Sequence, residues 1–252
     1  MRFLVQLRSL SLASAAALIL AVGADGQTRP EGVSGVLELF TSQGCSSCPP
    51  ADALLTQLAD KPDLITLSLP VDYWDYIGWK DTLALPAFTE RQKNYAAARG
   101  DGQVYTPQVV IDGVAHVVGS NAPKIEQAIK DAAAQPNVFS VSMHVAKVDG
   151  DLVGDVGAAG DGVPRWGSIL LLQVAKKRIV SIARGENAGR TVTYTNVVRS
   201  LDRIGMWNGA AMHFDVPAGE IMPRGDGYVV LLQSGRSDRP GAILAAVKSD
   251  GL

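Results

Sequence analysis

The 252-residue sequence is poor in the residues that mark disulfide-rich, metal-rich or nucleic-acid-binding proteins. It has only two cysteines and three histidines, too few for a framework of several disulfides. Its formal net charge is −2 and it contains no long run of like charges, so nothing favours nucleic acid or an anionic membrane surface as a partner. With 47% hydrophobic and 19% charged residues, the composition is that of an ordinary globular protein.

The N-terminal stretch has the pattern of a secretory signal peptide. Met1 to Arg8 carries two arginines and no acid, Leu10 to Gly23 is apolar, and small residues surround Ala24. A spanning helix needs about 20 apolar residues, and this run is shorter. We therefore predict a signal peptide over residues 1–24, cleaved near Ala24. The mature protein is then periplasmic or secreted, with no membrane span.

The rest of the chain shows two unlike patterns. Residues 35–135 read as strand, helix, strand, helix, strand, hairpin strand and helix, which predicts an α/β layer. Residues 138–252 contain many short strand-like runs separated by turn signals, a pattern typical of a β-sandwich. We therefore predict an α/β N-terminal domain over 35–135 and an all-β sandwich-like domain over 138–252.

The two cysteines, Cys45 and Cys48, are three positions apart. A disulfide that closes so short a loop adds little stability, which favours redox or metal chemistry over a structural disulfide. Pro49 and Pro50 fit only near the start of a helix, so the cysteines lie at or just before its first turn. Unpaired amides and the helix dipole stabilise a thiolate there. We predict that Cys45 attacks a substrate disulfide and that the more buried Cys48 resolves the mixed disulfide.

Three further residues are candidates for the same site. Thr106 and Pro107 precede a strand and its hairpin, where a cis-proline would shape a substrate groove and free the Thr106 backbone for an extended substrate. Glu38 lies in an apolar strand just before the cysteines, where a buried acid needs a role or a partner. It is either a proton acceptor for Cys48 or a solvent-facing residue at a strand edge.

Aromatic residues cluster between the second strand and the second helix. Tyr73, Trp74, Tyr76 and Trp79 can line a substrate groove, although packing is the commoner role of such rings.

Two alternatives to redox chemistry stay open at the cysteines. One is an inert local disulfide, and the other is a two-thiolate metal site, for which copper(I) is the suitable ion. A closed zinc site would need two more ligands. His116, His144 and His213 all lie far from the cysteines in sequence, so no metal ligand is assigned.

Three segments together resemble a known family. They are Leu37 to Asp52, Tyr105 to Gly113, and Gly185 to Arg190 with Asn196 to Arg199 after it. They are similar to the motifs of bacterial secreted proteins catalogued as domain of unknown function 1223, in the thioredoxin-like superfamily. The resemblance implies a thioredoxin-like N-terminal half and a β-rich C-terminal half, and it supplies no substrate. The segment 185–190 forms either a loop near the cysteines or a structural turn.

Taken together, the sequence predicts an exported thiol–disulfide oxidoreductase-like protein. The predicted fold class is an α/β thioredoxin-like N-terminal domain followed by an all-β sandwich-like C-terminal domain. Protein thiols and disulfides are the expected substrates, with an upstream redox partner and no organic cofactor. The alternatives are a protein that handles copper or another metal through the same thiolates, and a non-catalytic scaffold.

Overall fold

The computed structural model describes residues 32–219 and 225–252. The predicted signal peptide, residues 1–24, lies outside these ranges. Within them the helices are α1 (Pro49–Ala59), α2 (Pro86–Arg99) and α3 (Ala122–Ala133). The strands are β1 (Gly35–Thr41), β2 (Leu64–Pro70), β3 (Gln108–Ile111), β4 (Ala115–Val118), β5 (Met143–Val148), β6 (Asp151–Val156), β7 (Gly167–Ser181), β8 (Thr191–Trp207), β9 (Met212–Val216), β10 (Gly227–Arg236) and β11 (Arg239–Lys248).

Strands from both halves of the chain belong to one mixed sheet. Among the described residues this sheet has eight strands, in the order β11-β10-β7-β8-β2-β1-β3-β4. β1 and β2 are parallel, and β8 joins β2 in parallel where Ser68 pairs with Val197. β11 also meets the turn after β3, because the Ile243 N–H donates to the Asp112 carbonyl at 2.9 Å. The strands β5, β6 and β9 form a separate three-stranded sheet.

The predicted fold class is therefore wrong. The protein is mostly β, with one large mixed sheet and three α-helices in its described part, rather than an α/β thioredoxin-like domain followed by an all-β domain. Two of the runs read from the sequence as short strands, 168–175 and 178–183, lie largely in the single strand β7, and a third, 192–198, is part of β8; these strands have 15 and 17 residues. The pairing of β8 with β2 joins residues far apart in the chain, and local periodicity does not encode such a pairing. The division of the chain at residues 135–138 stays a prediction; it falls between α3 and β5.

Several local elements agree with the sequence patterns. The helical sequence pattern over residues 86–99 coincides with α2, and the strand pattern over residues 108–111 coincides with β3. Helix α1 begins at Pro49, with Cys48 as its N-cap residue. Asn121 caps α3, because its side chain accepts a hydrogen bond from the Lys124 N–H at 3.2 Å. Local signals therefore located these elements correctly even though the topology differs.

The two faces of β1 belong to different cores. Leu39 packs with Leu55 of α1 on one face. Phe40 packs with Tyr95 of α2 on the other, where the two rings meet edge to face at 6.3 Å. Side chains alternate between the faces of a strand, so Glu38 lies on the same face as Phe40. This face is opposite to α1 and its cysteines.

Candidate functional site

Cys45 and Cys48 form a disulfide at the N-terminal end of α1. The Cys48 N–H donates to the Cys45 carbonyl at 3.2 Å, which closes a tight turn. The cysteines are only 2% and 0% exposed, whereas Ser46 and Ser47 between them are exposed. An attacking thiolate can therefore reach the bond only when neighbouring segments move.

Trp74 joins the cysteine loop to the segment that contains Thr106. At Gly44 an added Cβ would lie 3.0 Å from the Trp74 Cβ, so the backbone before Cys45 packs directly on this residue. The Trp74 Nε1–H donates to Thr106 Oγ1 at 2.8 Å. The structure thus brings together two of the regions that the sequence assigned to one site.

Thr106 and Pro107 lie next to the first turn of α1. The peptide bond between them is cis. An added Cβ at Gly119 would lie 3.2 Å from the Cβ atoms of both Ala51 and Pro107, so a single glycine separates the proline from the helix. Within the described chain, neither the N–H nor the C=O of Thr106 makes a hydrogen bond.

Three side chains anchor the loop that leads into Cys45. Asp81 accepts a hydrogen bond from the Gln43 N–H at 2.7 Å, and the Gln43 Oε1 accepts one from Trp79 Nε1 at 2.8 Å. Asn187 Nδ2 donates to the carbonyl oxygens of Gln43 and Cys45, at 2.9 Å each. Asn187 belongs to the segment 185–190, so of the two interpretations of that segment the structure shows a loop near the cysteines.

Some aromatic residues of segment 73–79 hold neighbouring loops in place, and others are exposed to solvent. Trp74 and Trp79 hold neighbouring loops through their indole N–H groups. Tyr76 stacks on Trp74, with ring centroids 6.4 Å apart, and is 80% exposed. The outer surface of the segment therefore presents an aromatic ring beside the cysteine loop.

Glu38 is held in a buried ion pair away from the cysteines. Its Oε1 lies 2.7 Å from Arg91 Nε, and Tyr95 donates a short hydrogen bond to its Oε2. Arg91 Nη2 also donates to Gln233 Oε1 at 3.0 Å. Arg91 and Tyr95 both belong to α2, on the face of β1 opposite to α1. The contacts of the predicted proton acceptor thus connect β1, α2 and β10, and Cys48 is not among them.

A different buried carboxylate, that of Asp52, belongs to the helix that Cys48 caps. Asp52 follows one helical turn later, and its N–H donates to the Cys48 carbonyl at 3.1 Å. Asp52 is 3% exposed, and neither of its carboxylate oxygens has a hydrogen-bond partner within the described residues. Burial raises the pKa of Asp52 well above its ordinary value; the Thr41 hydroxyl opposes this rise and the charge of Asp81 adds to it.

Asp52 was not among the residues predicted from the sequence, although a signal was present. The residue shares the buried face of α1 with Ala51, Leu55 and Leu58. An acid at an apolar position is costly to bury without a role or a partner. Glu38 was singled out on this ground and has an ion-pair partner, whereas Asp52 was not singled out and its carboxylate makes no hydrogen bond within the described chain.

Asp52→Asn is expected to stabilise the protein at neutral and alkaline pH. A carboxyl whose pKa is raised by folding favours the folded state only in its protonated form, so its contribution is lost as pH rises through the folded-state pKa. The free energies of unfolding of parent and variant should coincide below about pH 4, near the pKa of an unfolded aspartate, and diverge in favour of the variant above it. Urea denaturation at a series of pH values measures this difference. Equal stability at every pH would contradict the raised pKa.

The histidines of the described chain have partners other than cysteine. His116 Nε2 lies 3.1 Å from Asp101, and its Nδ1 lies 2.9 Å from the Tyr105 hydroxyl. His213 pairs with Asp155. In residues 32–219 and 225–252 no group of three or more His, Cys, Asp or Glu side chains is placed to hold a metal ion. The same ranges hold no helix with the length and apolar character that a membrane span requires.

The fold and the site define a mostly β protein with a buried disulfide at the start of a helix. The chain belongs to the family described as protein of unknown function DUF1223, whose model matches residues 36–233. This match confirms the family resemblance seen in the sequence. Membership of the thioredoxin-like superfamily is not confirmed.

One similar structure comes from Agrobacterium tumefaciens. It is an X-ray crystal structure of a protein that is 33% identical to this chain, with a TM-score of 0.76. The similarity covers 86% of this chain and 94% of the other. No curated protein matches the sequence.

Proposed function

We propose that the protein exchanges disulfides with exported polypeptides through Cys45 and Cys48. One observation carries the proposal: the cysteines form a disulfide at the N-terminus of α1, where unpaired amides and the helix dipole stabilise a thiolate. The neighbouring Thr106–Pro107 segment supports it, because the Thr106 backbone has unused hydrogen-bonding groups. Thr106 would pair with an extended substrate, and Pro107 would shape the groove.

The exchange proceeds in two steps. The Cys45 thiolate attacks one sulfur of a substrate disulfide, forming a mixed disulfide and releasing the other substrate sulfur as a thiolate. Cys48 then attacks Cys45 Sγ, which closes the disulfide seen here and releases the second substrate thiol. Two electrons pass from the cysteine pair to the substrate, and the oxidative direction is the same sequence reversed.

The proposal places the mature protein in the periplasm or outside the cell, after cleavage of the predicted signal peptide. An upstream thiol or disulfide partner would restore the starting state after each cycle. No organic cofactor enters the exchange, since both electrons move between sulfur atoms.

The reduction midpoint of the cysteine pair tests the proposed function. The mature protein is equilibrated in thiol buffers, quenched, alkylated and weighed, with Cys45→Ser as the variant that cannot form the bond. We expect a reversible two-electron midpoint between about −120 and −270 mV, the span of known exchange proteins. A midpoint below about −300 mV is typical of structural disulfides and would contradict the proposal.

The burial of both cysteines favours one second candidate, a scaffold with an inert bridge. Cys45 and Cys48 are 2% and 0% exposed, and buried disulfides of low potential resist exchange. Reduction would then lower the stability of the protein, and no thiol would pass to a substrate peptide. Exchange measured on the native protein separates the two candidates.

A further inference from the structure

Asp52 is buried in the first turns of α1, and neither of its carboxylate oxygens makes a hydrogen bond of good geometry within the described residues. Buried polar atoms almost always have hydrogen-bond partners, so two unpaired oxygens on one side chain need an explanation. Its backbone bond to Cys48 and their spacing of four residues place the two side chains on the same face of α1.

The groups around Asp52 come from each element packed against it. β1 contributes the Thr41 hydroxyl, and β8 contributes Tyr194, whose pKa is raised by burial and by the charges of Asp52 and Asp81. Segment 72–85 contributes Asp81, whose oxygens accept backbone hydrogen bonds. Arg199 is a cation near this region; its Nη1 donates to the Leu83 carbonyl, and its charge interacts with Asp81 and with Arg178. None of these contacts forms an ion pair with Asp52 among the described residues.

We propose that Asp52 is the proton acceptor for Cys48 in the resolving step of exchange, an inference that rests on the proposed function. When the mixed disulfide on Cys45 has formed, the Cys48 thiol gives its proton to the Asp52 carboxylate and becomes the attacking thiolate. The Cys45–Cys48 bond then forms, the bond from Cys45 to the substrate breaks, and the departing substrate thiolate takes the proton from Asp52 directly or through solvent. Charge and proton number balance across the step.

The electrostatics of the site suit this transfer. Burial brings the pKa of Asp52 upward, toward the pKa of about 8.5 of an ordinary thiol. Proton transfer is most efficient when the two pKa values are close and near the working pH. Glu38 is unsuited to the same task, because it is paired with Arg91 on the opposite face of β1.

Single-turnover reduction of 5,5′-dithiobis(2-nitrobenzoate) separates the two steps. Reduced protein is mixed with one equivalent of the reagent; attack by Cys45 releases the first coloured thiolate, and attack by Cys48 releases the second. In Asp52→Asn we expect the first phase to be unchanged and the second to slow about 100-fold near neutral pH. In the parent, the rate of the second phase should depend on pH through two titrating groups, Cys48 and Asp52. In the variant it should depend on Cys48 alone.

The controls distinguish proton transfer from a structural effect. Asp60→Asn removes an exposed acid at the end of the same helix and should leave both phases unchanged. Asp52→Glu should restore part of the second phase. An unchanged second phase in Asp52→Asn, or equal slowing of both phases, would overturn the role of Asp52 while leaving the proposed function standing. If the parent releases no coloured thiolate, the proposed function itself fails.

Discussion

Arg91→Met is expected to destabilise the folded protein by about 3–5 kcal/mol, because it leaves the buried carboxylate of Glu38 without its cation. Glu38 is fully buried and Arg91 is 9% exposed, so water cannot replace the lost partner. The substitution also removes hydrogen bonds from Arg91 Nη2 to the Tyr95 hydroxyl and Gln233. Methionine keeps most of the length and the apolar stem of the side chain. The loss in the free energy of unfolding therefore measures the contribution of the charge and its hydrogen bonds.

Chemical denaturation measures this loss, and two variants control it. Lys93→Met removes an exposed cation from the same helix, where its ion pair with Glu90 is solvated, and should change stability by less than about 1 kcal/mol. Glu38→Met combined with Arg91→Met removes both charges and should recover much of the stability lost in the single variant. A single variant as stable as the parent would show that Glu38 is neutralised in another way.

The buried ion pair also contacts the second half of the chain. Glu38 comes from β1, Arg91 from α2 and Gln233 from β10, and Gln233 Nε2 also donates to the Gly241 carbonyl at 2.9 Å. A buried polar network of this kind is favourable only when all its members are present together. Residues before and after position 135 therefore share one buried network, and β10 belongs to the same sheet as β1 rather than to a sandwich of its own.

Local patterns predicted the helices better than the sheet. The bounds of α2, the cap at Asn121 and the start of α1 at Pro49 depend on neighbouring residues, and each agrees with its sequence signal. The single parallel pairing of Ser68 with Val197 depends on residues far apart, and no short-range pattern specifies it. The sequence therefore predicted the elements and missed the arrangement that joins them.

In the candidate site, too, features that depend on nearby residues were predicted better than those that depend on residues far apart in the chain. Cys45, Cys48 and the Thr106–Pro107 segment were predicted because their sequence patterns have a chemical meaning, and the structure brings them together through Trp74. Asn187 lies far along the chain and reaches the cysteine loop only through the tertiary fold. Asp52 was visible in the periodicity of α1 but was not singled out.

Asn187→Ala is expected both to destabilise the protein and to expose its disulfide. The change leaves the buried carbonyl of Gln43 without its donor, at a cost of about 1–3 kcal/mol for the unsatisfied group, and leaves the Cys45 carbonyl with the Cys48 N–H alone. Part of this cost lowers the free energy of opening the cysteine loop. Each ~1.4 kcal/mol removed from that free energy raises the open population tenfold.

We therefore expect dithiothreitol to reduce the disulfide about 10- to 100-fold faster in Asn187→Ala than in the parent, because a buried bond reacts through its open form. Quenched alkylation and mass measurement follow the reaction. Asn208→Ala is the matched control, since Asn208 is exposed and its side chain bonds only to the local Ala210 N–H. Loss of stability with no change in reduction rate would mean that another segment, such as the one holding Trp74, limits access to the disulfide. Faster reduction would identify the loop containing Asn187 as the part of the fold that sets how readily Cys45 and Cys48 meet a substrate.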